Sequence, residues 1–298
     1  MPVNLYMRAS DGLRLHVRRY GPQQGATHPI ICLPGLTRTA LDFDVLANAL
    51  VGAANPQRRV YAVDYRGRGL SDYDQSPENY SLGVELADLL STMAALDLGP
   101  AIFIGTSRGG LMIMLLATVR PQLVAGAILN DIGPEIAIEG LLRIKSYVGK
   151  LPSPADYDDA TAILKRLFGP QFPALTDDEW LASAKRAFKR EDGRLVPMYD
   201  VRIAETLSSI DADRPLPDLW EQFDALASVP VMVIRGELSD ILTRETVGTM
   251  KHRHPGLEIV DVPNQGHAPL LADTATIARI ADFVACHEGR MSLRGQTA

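Results

Sequence analysis

The chain has 298 residues, of which 46% are hydrophobic, and a formal charge of −6. That length buries a large core as one domain with an insertion or as two small ones, while an acidic balance without a basic stretch excludes an electrostatic footprint for nucleic acid or an anionic membrane. Two cysteines, Cys32 and Cys286, are too few for a disulfide framework and read as buried thiols, and no Cys/His cluster has metal-ligand spacing, so neither a metal nor a cofactor is implied.

Residues 1–15 carry no hydrophobic region of a signal peptide, and the longest apolar run, 111–119, is about half a membrane span. The expectation is a soluble cytoplasmic protein. The first segment reads as an antiparallel hairpin, with residues 5–8 and 13–17 flanking the turn-forming Asp11-Gly12. Continuous apolar runs follow at 30–33, 60–63, 101–104, 127–129 and 231–234. Each is too short for a helix and apolar on both faces, as a parallel strand covered by helices must be. A last strand, 258–262, alternates as an edge strand does. Helical patterns occupy 41–51, 82–96, 108–119 and 244–251, and a final helix with one apolar stripe surrounds Ile277 and Phe283, before a frayed tail from Gly289.

Between Gly133-Pro134 and Val229-Pro230 the strand rhythm stops. Helices are predicted around Leu141–Val148, around Ile163–Phe168, from Thr176 through Phe188, and near 219–226. Thr176 stands three residues before Glu179, the spacing of a capping box. The predicted organisation is an α/β core domain, 1–133 plus 229–298, with a mostly parallel eight-stranded sheet and helices on both faces. A helical cap, 134–228, is inserted into it.

The chemistry centres on Gly105-Thr106-Ser107-Arg108-Gly109, between an apolar strand and a buried helix. A serine with glycines two residues either side fits a strand-to-helix turn so tight that a side chain at either glycine would collide with its neighbours. Its hydroxyl becomes a nucleophile only if a base takes its proton and an acid holds that base in the right tautomer. Five of the six histidines read as surface or loop residues; His267 follows the last strand after Gly266, on the edge of the sheet where such a base belongs. Asp240, in the loop after strand 231–234, is the favoured acid. Asp131 after the preceding strand is the rival, with a cap-hinge role as its competing reading, and Glu237 is third. The oxyanion of a tetrahedral intermediate needs two backbone donors, assigned to the N–H groups of Leu36, in Pro34-Gly35-Leu36, and Arg108.

These motifs, with the segment Asp64-Tyr65-Arg66-Gly67-Arg68-Gly69-Leu70-Ser71-Asp72, resemble the α/β-hydrolase superfamily over nearly the whole chain. The Asp64 to Asp72 segment looks like that family's structural loop and is given no catalytic part. Pro34 departs from the histidine common before the glycine. Arg108 departs from the usual small, apolar or glutamine residue, and either pairs with an acidic neighbour or faces an anionic substrate. Relatives that cleave alkyl halides or epoxides use aspartate at the elbow; serine suits an acyl acceptor. The resemblance therefore implies an enzyme that hydrolyses a carboxylic ester or lactone of a small to medium substrate. Acyl transfer on the same residues and a small-molecule receptor remain alternatives. The expected partner is a small molecule, with no nucleic acid and no membrane, and both monomer and homodimer stay open. Tyr147, Leu141, Trp180, Phe188 and Tyr199 are candidate pocket residues, and Arg38 and Arg143 candidate carboxylate contacts.

Overall fold

The structure is a computed structural model and describes residues 1–52, 58–212 and 216–289. In chain order, β1 (Val3–Arg8), β2 (Arg14–Tyr20), β3 (Ile30–Leu33), α1 (Asp44–Leu50), β4 (Val60–Asp64), α2 (Leu82–Ala95), β5 (Ala101–Thr106), α3 (Arg108–Val119) and β6 (Val124–Asn130) build the first part. An inserted segment follows with α4 (Ile138–Tyr147), α5 (Tyr157–Phe168), α6 (Asp177–Ala187), β7 (Phe188–Glu191), β8 (Arg194–Pro197) and α7 (Trp220–Asp224). The chain then returns through β9 (Val231–Gly236), α8 (Arg244–Arg253), β10 (Glu258–Val262) and α9 (Thr274–His287).

One eight-stranded sheet has the order β1-β2-β4-β3-β5-β6-β9-β10. In it only the pairings of β1 with β2 and of β2 with β4 are antiparallel; β4, β3, β5, β6, β9 and β10 run parallel. The continuous apolar runs now have their cause. Alternate residues of each central strand face two different cores: Ile31, Leu33 and Phe103 pack with α2, α3 and α8 through Leu89, Met112 and Met250. Ile30, Cys32 and Ile104 pack with α1 and α9 through Leu46 and Val284. At roughly 1.5–3 kcal/mol per fully buried aliphatic side chain, this two-sided burial is the main force ordering the sheet. Edge strand β10 alternates as expected, with Glu258, Val260 and Val262 less exposed than Ile259 and Asp261.

The inserted elements lie between β6 and β9, strands that are neighbours in the sheet. They carry a small core of their own, in which Leu164, Phe172, Trp180, Phe188 and Leu195 meet. The Thr176–Glu179 capping box is formed, with Glu179 N–H donating to Thr176 and Thr176 N–H to Glu179. The helix it opens ends at Ala187, short of the predicted continuation. Phe188 begins a hairpin with β8, turned at Asp192 and Gly193, both at positive φ (48° and 79°). Asp-Gly at such a turn is a strong hairpin signal that overrides the helical pattern before it.

Several other expectations need correction. The predicted helix 41–51 is a 3-10 turn over Ala40–Phe43, capped by Thr39, leading into α1. Cys32 is buried, but Cys286 is exposed on α9. His16, expected at the surface, is 2% exposed in β2, where its Nδ1 meets Asp64 Oδ2 at 2.6 Å. The predicted tail beyond Gly289 lies outside the described residues. Among the described residues no helix is long and apolar enough to cross a membrane.

Candidate active site

Ser107 joins β5 to α3 at φ 50° and ψ −112°, outside the regions open to ordinary residues. A Cβ at Gly105 would fall against the backbone of Gly109 and Gly110. One at Gly109 would fall against the Leu33 carbonyl of the neighbouring strand. Both glycines are therefore required by packing, as the spacing implies. Gly109→Ala is expected to lower stability by about 3 kcal/mol, through overpacking against backbone that cannot yield. Thermal unfolding beside the wild type reads this, and an unchanged melting temperature would show that the turn relaxes.

Above this turn His267 Nε2 lies 2.8 Å from Ser107 Oγ. The other ring nitrogen, Nδ1, lies 2.9 Å from Asp131 Oδ2. An ionised carboxylate only accepts, so Nδ1 carries the proton and Nε2 is left as the acceptor of the serine O–H. Asp131 is fully buried directly after β6, again at positive φ (56°). Its carboxylate also accepts the Gly236 N–H at 2.8 Å on Oδ1 and the Ser239 O–H at 2.7 Å on Oδ2, so both oxygens are held. The neighbouring Asn130 fixes the histidine loop by donating from Nδ2 to the Pro269 carbonyl at 2.9 Å and to Thr106 Oγ1 at 3.0 Å.

The preference for Asp240 over Asp131 is not what the side chains do. Asp240 stands four residues beyond the end of β9, half-exposed, and forms a two-pronged pair with Arg143 of α4 at 2.6 and 2.9 Å. Burial pushes its carboxyl pKa up, but the Arg143 guanidinium, helped by Gln171 and the His267 ring, holds it below the ordinary value. The β9 loop instead contributes through Gly236 and Ser239, which hold Asp131. The third candidate, Glu237, accepts the Asn264 N–H at 3.0 Å near the surface.

Leu36 and Ser107 line one cavity, and Arg108 opens the helix behind the serine. The Arg108 side chain turns away from that cavity: its Nε donates to Glu85 at 2.7 Å and its Nη2 to the Tyr80 carbonyl at 2.8 Å. Glu85, fully buried, also accepts from Arg68 Nη1 at 2.7 Å, and Arg68 Nε donates to the Leu36 carbonyl at 2.8 Å. One buried carboxylate thus ties the Leu36 loop to the head of α3. The Asp64 to Asp72 segment is structural in the same sense. Asp64 accepts the Ala40 and Leu70 N–H groups, and Arg66 is enclosed by Asp11, Asp74 and Asp88.

Part of the remaining cavity wall comes from the inserted segment, including Tyr147 and Trp180 as expected, and part from the loops after β3 and β10. Phe188 belongs instead to that segment's own core, and Leu141 and Tyr199 pack on the main one. Arg38 lines the cavity, whereas Arg143 is engaged with Asp240. Sequence reasoning missed Arg186, which lines the cavity from the last turn of α6.

Comparison with known proteins bears on the family and the fold. The family described as "Alpha/beta hydrolase family" matches residues 30–280. A 3-hydroxybutyrate-oligomer hydrolase from Cupriavidus necator is 34% identical, over 85% of this chain and 87% of its own length. A 2-(acetamidomethylene)succinate hydrolase from Mesorhizobium japonicum is 25% identical over 88% and 90%. The crystal structure of an α/β hydrolase from Novosphingobium aromaticivorans superimposes with a TM-score of 0.87 at 40% identity, covering 95% of this chain and 98% of that one. With a serine turn, an eight-stranded sheet and a family match across most of its length, the chain is an enzyme of the α/β-hydrolase family.

Proposed function

We propose that the protein is a serine hydrolase of carboxylic esters that works through an acyl-enzyme, with Ser107 as nucleophile, His267 as general base and acid, and Asp131 as the orienting acid. The observation that carries this reading is the continuous relay Ser107 Oγ, His267 Nε2, His267 Nδ1, Asp131 Oδ2, at 2.8 and 2.9 Å, opening on the cavity. Nε2 takes the hydroxyl proton as Oγ attacks the ester carbonyl carbon. The Leu36 and Arg108 N–H groups donate to the resulting oxyanion, helped by the positive end of α3. The imidazolium, stabilised by Asp131, returns its proton to the departing alkoxide. A water then repeats the sequence on the acyl-enzyme, releasing the acid and restoring the serine.

Residues 134–228 act as a cap that supplies the apolar wall for the acyl chain and keeps bulk water off the ester. The relative from Cupriavidus necator, matched over most of both chains, acts on oligomers of 3-hydroxybutyrate, whose repeat is an ester of a short hydroxy acid. Short hydroxy-acid oligoesters are accordingly the favoured substrates, a small-molecule class requiring no cofactor. A fluorophosphonate probe at neutral pH is expected to label the wild-type protein on Ser107 and to leave Ser107→Ala unlabelled. Folded wild-type protein that resists the probe would overturn the reading.

A further inference from the structure

The cavity that holds Ser107 is not uniformly apolar. One corner carries Arg38, Asp42, Ser183 and Arg186, from two separate parts of the chain. Arg38 sits two residues after Leu36, and Asp42 follows in the 3-10 turn; Ser183 and Arg186 lie on α6, in the inserted segment. The Asp42 carboxylate is shared between both guanidiniums, at 3.5 Å from Arg38 Nε and 3.4 Å from Arg186 Nε. These separations exceed the roughly 2.7–2.9 Å of a charge-assisted hydrogen bond. The same Asp42 carboxylate also accepts the Thr39 N–H at 3.1 Å, as the partner in its capping box.

Two cations therefore share one carboxylate that is itself partly engaged; Asp44, the other carboxylate acting on Arg186, is paired with Arg18, which leaves the corner net positive. The contrast with Arg143 is direct: its two donors meet Asp240 at 2.6 and 2.9 Å and are satisfied. Arg186 donates to Ser183 Oγ at 3.0 Å, and the Arg38 guanidinium makes no hydrogen bond among the described residues. Burial, with the like charge of Arg38, pushes the Arg186 pKa below its ordinary value against the opposing charges of Asp42 and Asp44.

Resting on the ester-hydrolase reading of this cavity, we infer that Arg38 and Arg186 form a carboxylate-binding subsite, so that the enzyme selects esters carrying a free carboxylate in the same molecule. Planar guanidiniums present paired N–H donors that match a carboxylate, and a site walled by apolar side chains strengthens that contact over its value in water. The neutral acyl portion occupies the apolar wall near Ile144 and Trp180, while the charged end points to the α6 corner. An acid-terminated chain is thereby held in one direction, with a chosen ester at Ser107.

Binding to Ser107→Ala, where no turnover intervenes, tests this by calorimetry with the linear dimer of 3-hydroxybutyrate and its uncharged primary amide. The acid is expected to bind about tenfold or more tightly than the amide at low ionic strength. That ratio should fall toward about 1 when Arg38→Gln and Arg186→Gln are added. Equal affinity for acid and amide, or a preference that survives loss of both arginines, would overturn the subsite. Should the triple variant not fold, raising salt to about 0.5 M decides in its place: the preference must shrink, and one indifferent to salt counts against the arginines. Wild-type protein that prefers the acid yet cleaves no ester would count against the ester reading alone.

Discussion

Asp131→Asn is expected to lower kcat by about 10⁴-fold, while Asp240→Asn changes it by no more than roughly threefold, because a half-exposed charge off the relay is screened. The asymmetry follows from what each carboxylate holds. Asp131 is buried and receives the His267 Nδ1–H; its neutral amide counterpart removes the charge that stabilises imidazolium and can present N–H where an acceptor is needed, forcing the wrong tautomer. Asparagine tolerates positive φ and retains an oxygen for the Gly236 N–H, so the fold should persist. Asp240 gives up a pair with Arg143 and only a weaker through-space attraction to the imidazole, with no hydrogen bond to it. Steady-state kinetics on p-nitrophenyl butyrate, with circular dichroism to confirm folding, reads both variants. A large loss in Asp240→Asn with Asp131→Asn near normal would reverse the assignment.

Glu85→Leu is expected to cost about 3–5 kcal/mol of stability, the range for removing one partner from a buried ionic group. Arg68 is fully buried, and burial lowers its pKa while the Glu85 charge opposes that shift. Without Glu85, Arg68 and Arg108 face each other as like charges with no neighbouring carboxylate of equal proximity. Leucine fills the space but offers no acceptor. Because Arg68 holds the Leu36 carbonyl and Arg108 heads α3, the folded fraction should also lose kcat. Glu85→Gln, which keeps one acceptor oxygen, should fall between leucine and wild type on both measures. Urea titration monitored by tryptophan fluorescence gives the midpoint, and a midpoint unmoved in Glu85→Leu would refute the clamp.

The inner strands of the main sheet were legible because burial on both faces makes every position apolar, so Ile30–Leu33 could be read to the residue; edge strand Glu258–Val262 was legible through its alternation instead. The serine turn was legible because the steric demand at Gly105 and Gly109 is local. The acid was not, because Asp131 and Asp240 both follow a strand and precede His267 in sequence. What separates them is tertiary: Arg143, 97 residues before Asp240 in sequence, arrives on α4 to claim it, while Gly236 and Ser239 turn toward Asp131. His16 looked like a hairpin surface residue because its partner Asp64 is remote in sequence. The β7–β8 hairpin did leave a signal, Asp192-Gly193, the same dipeptide type that located the first hairpin at Asp11-Gly12.

Ser107, Asp131 and His267 all stand at the ends of strands in the main sheet or in the loops that follow them, and none comes from the elements between Ile138 and Asp224. In the proposed mechanism the reacting groups thus sit in the main stretch of the polypeptide, while the inserted stretch adds part of the wall that meets the substrate. Drift or wholesale exchange within the excursion can retarget the enzyme while its reactive serine stays as it was. Among the links that would have to be remade are the pairs of Arg143 with Asp240 and of Arg186 with Asp42, which cross from one stretch to the other.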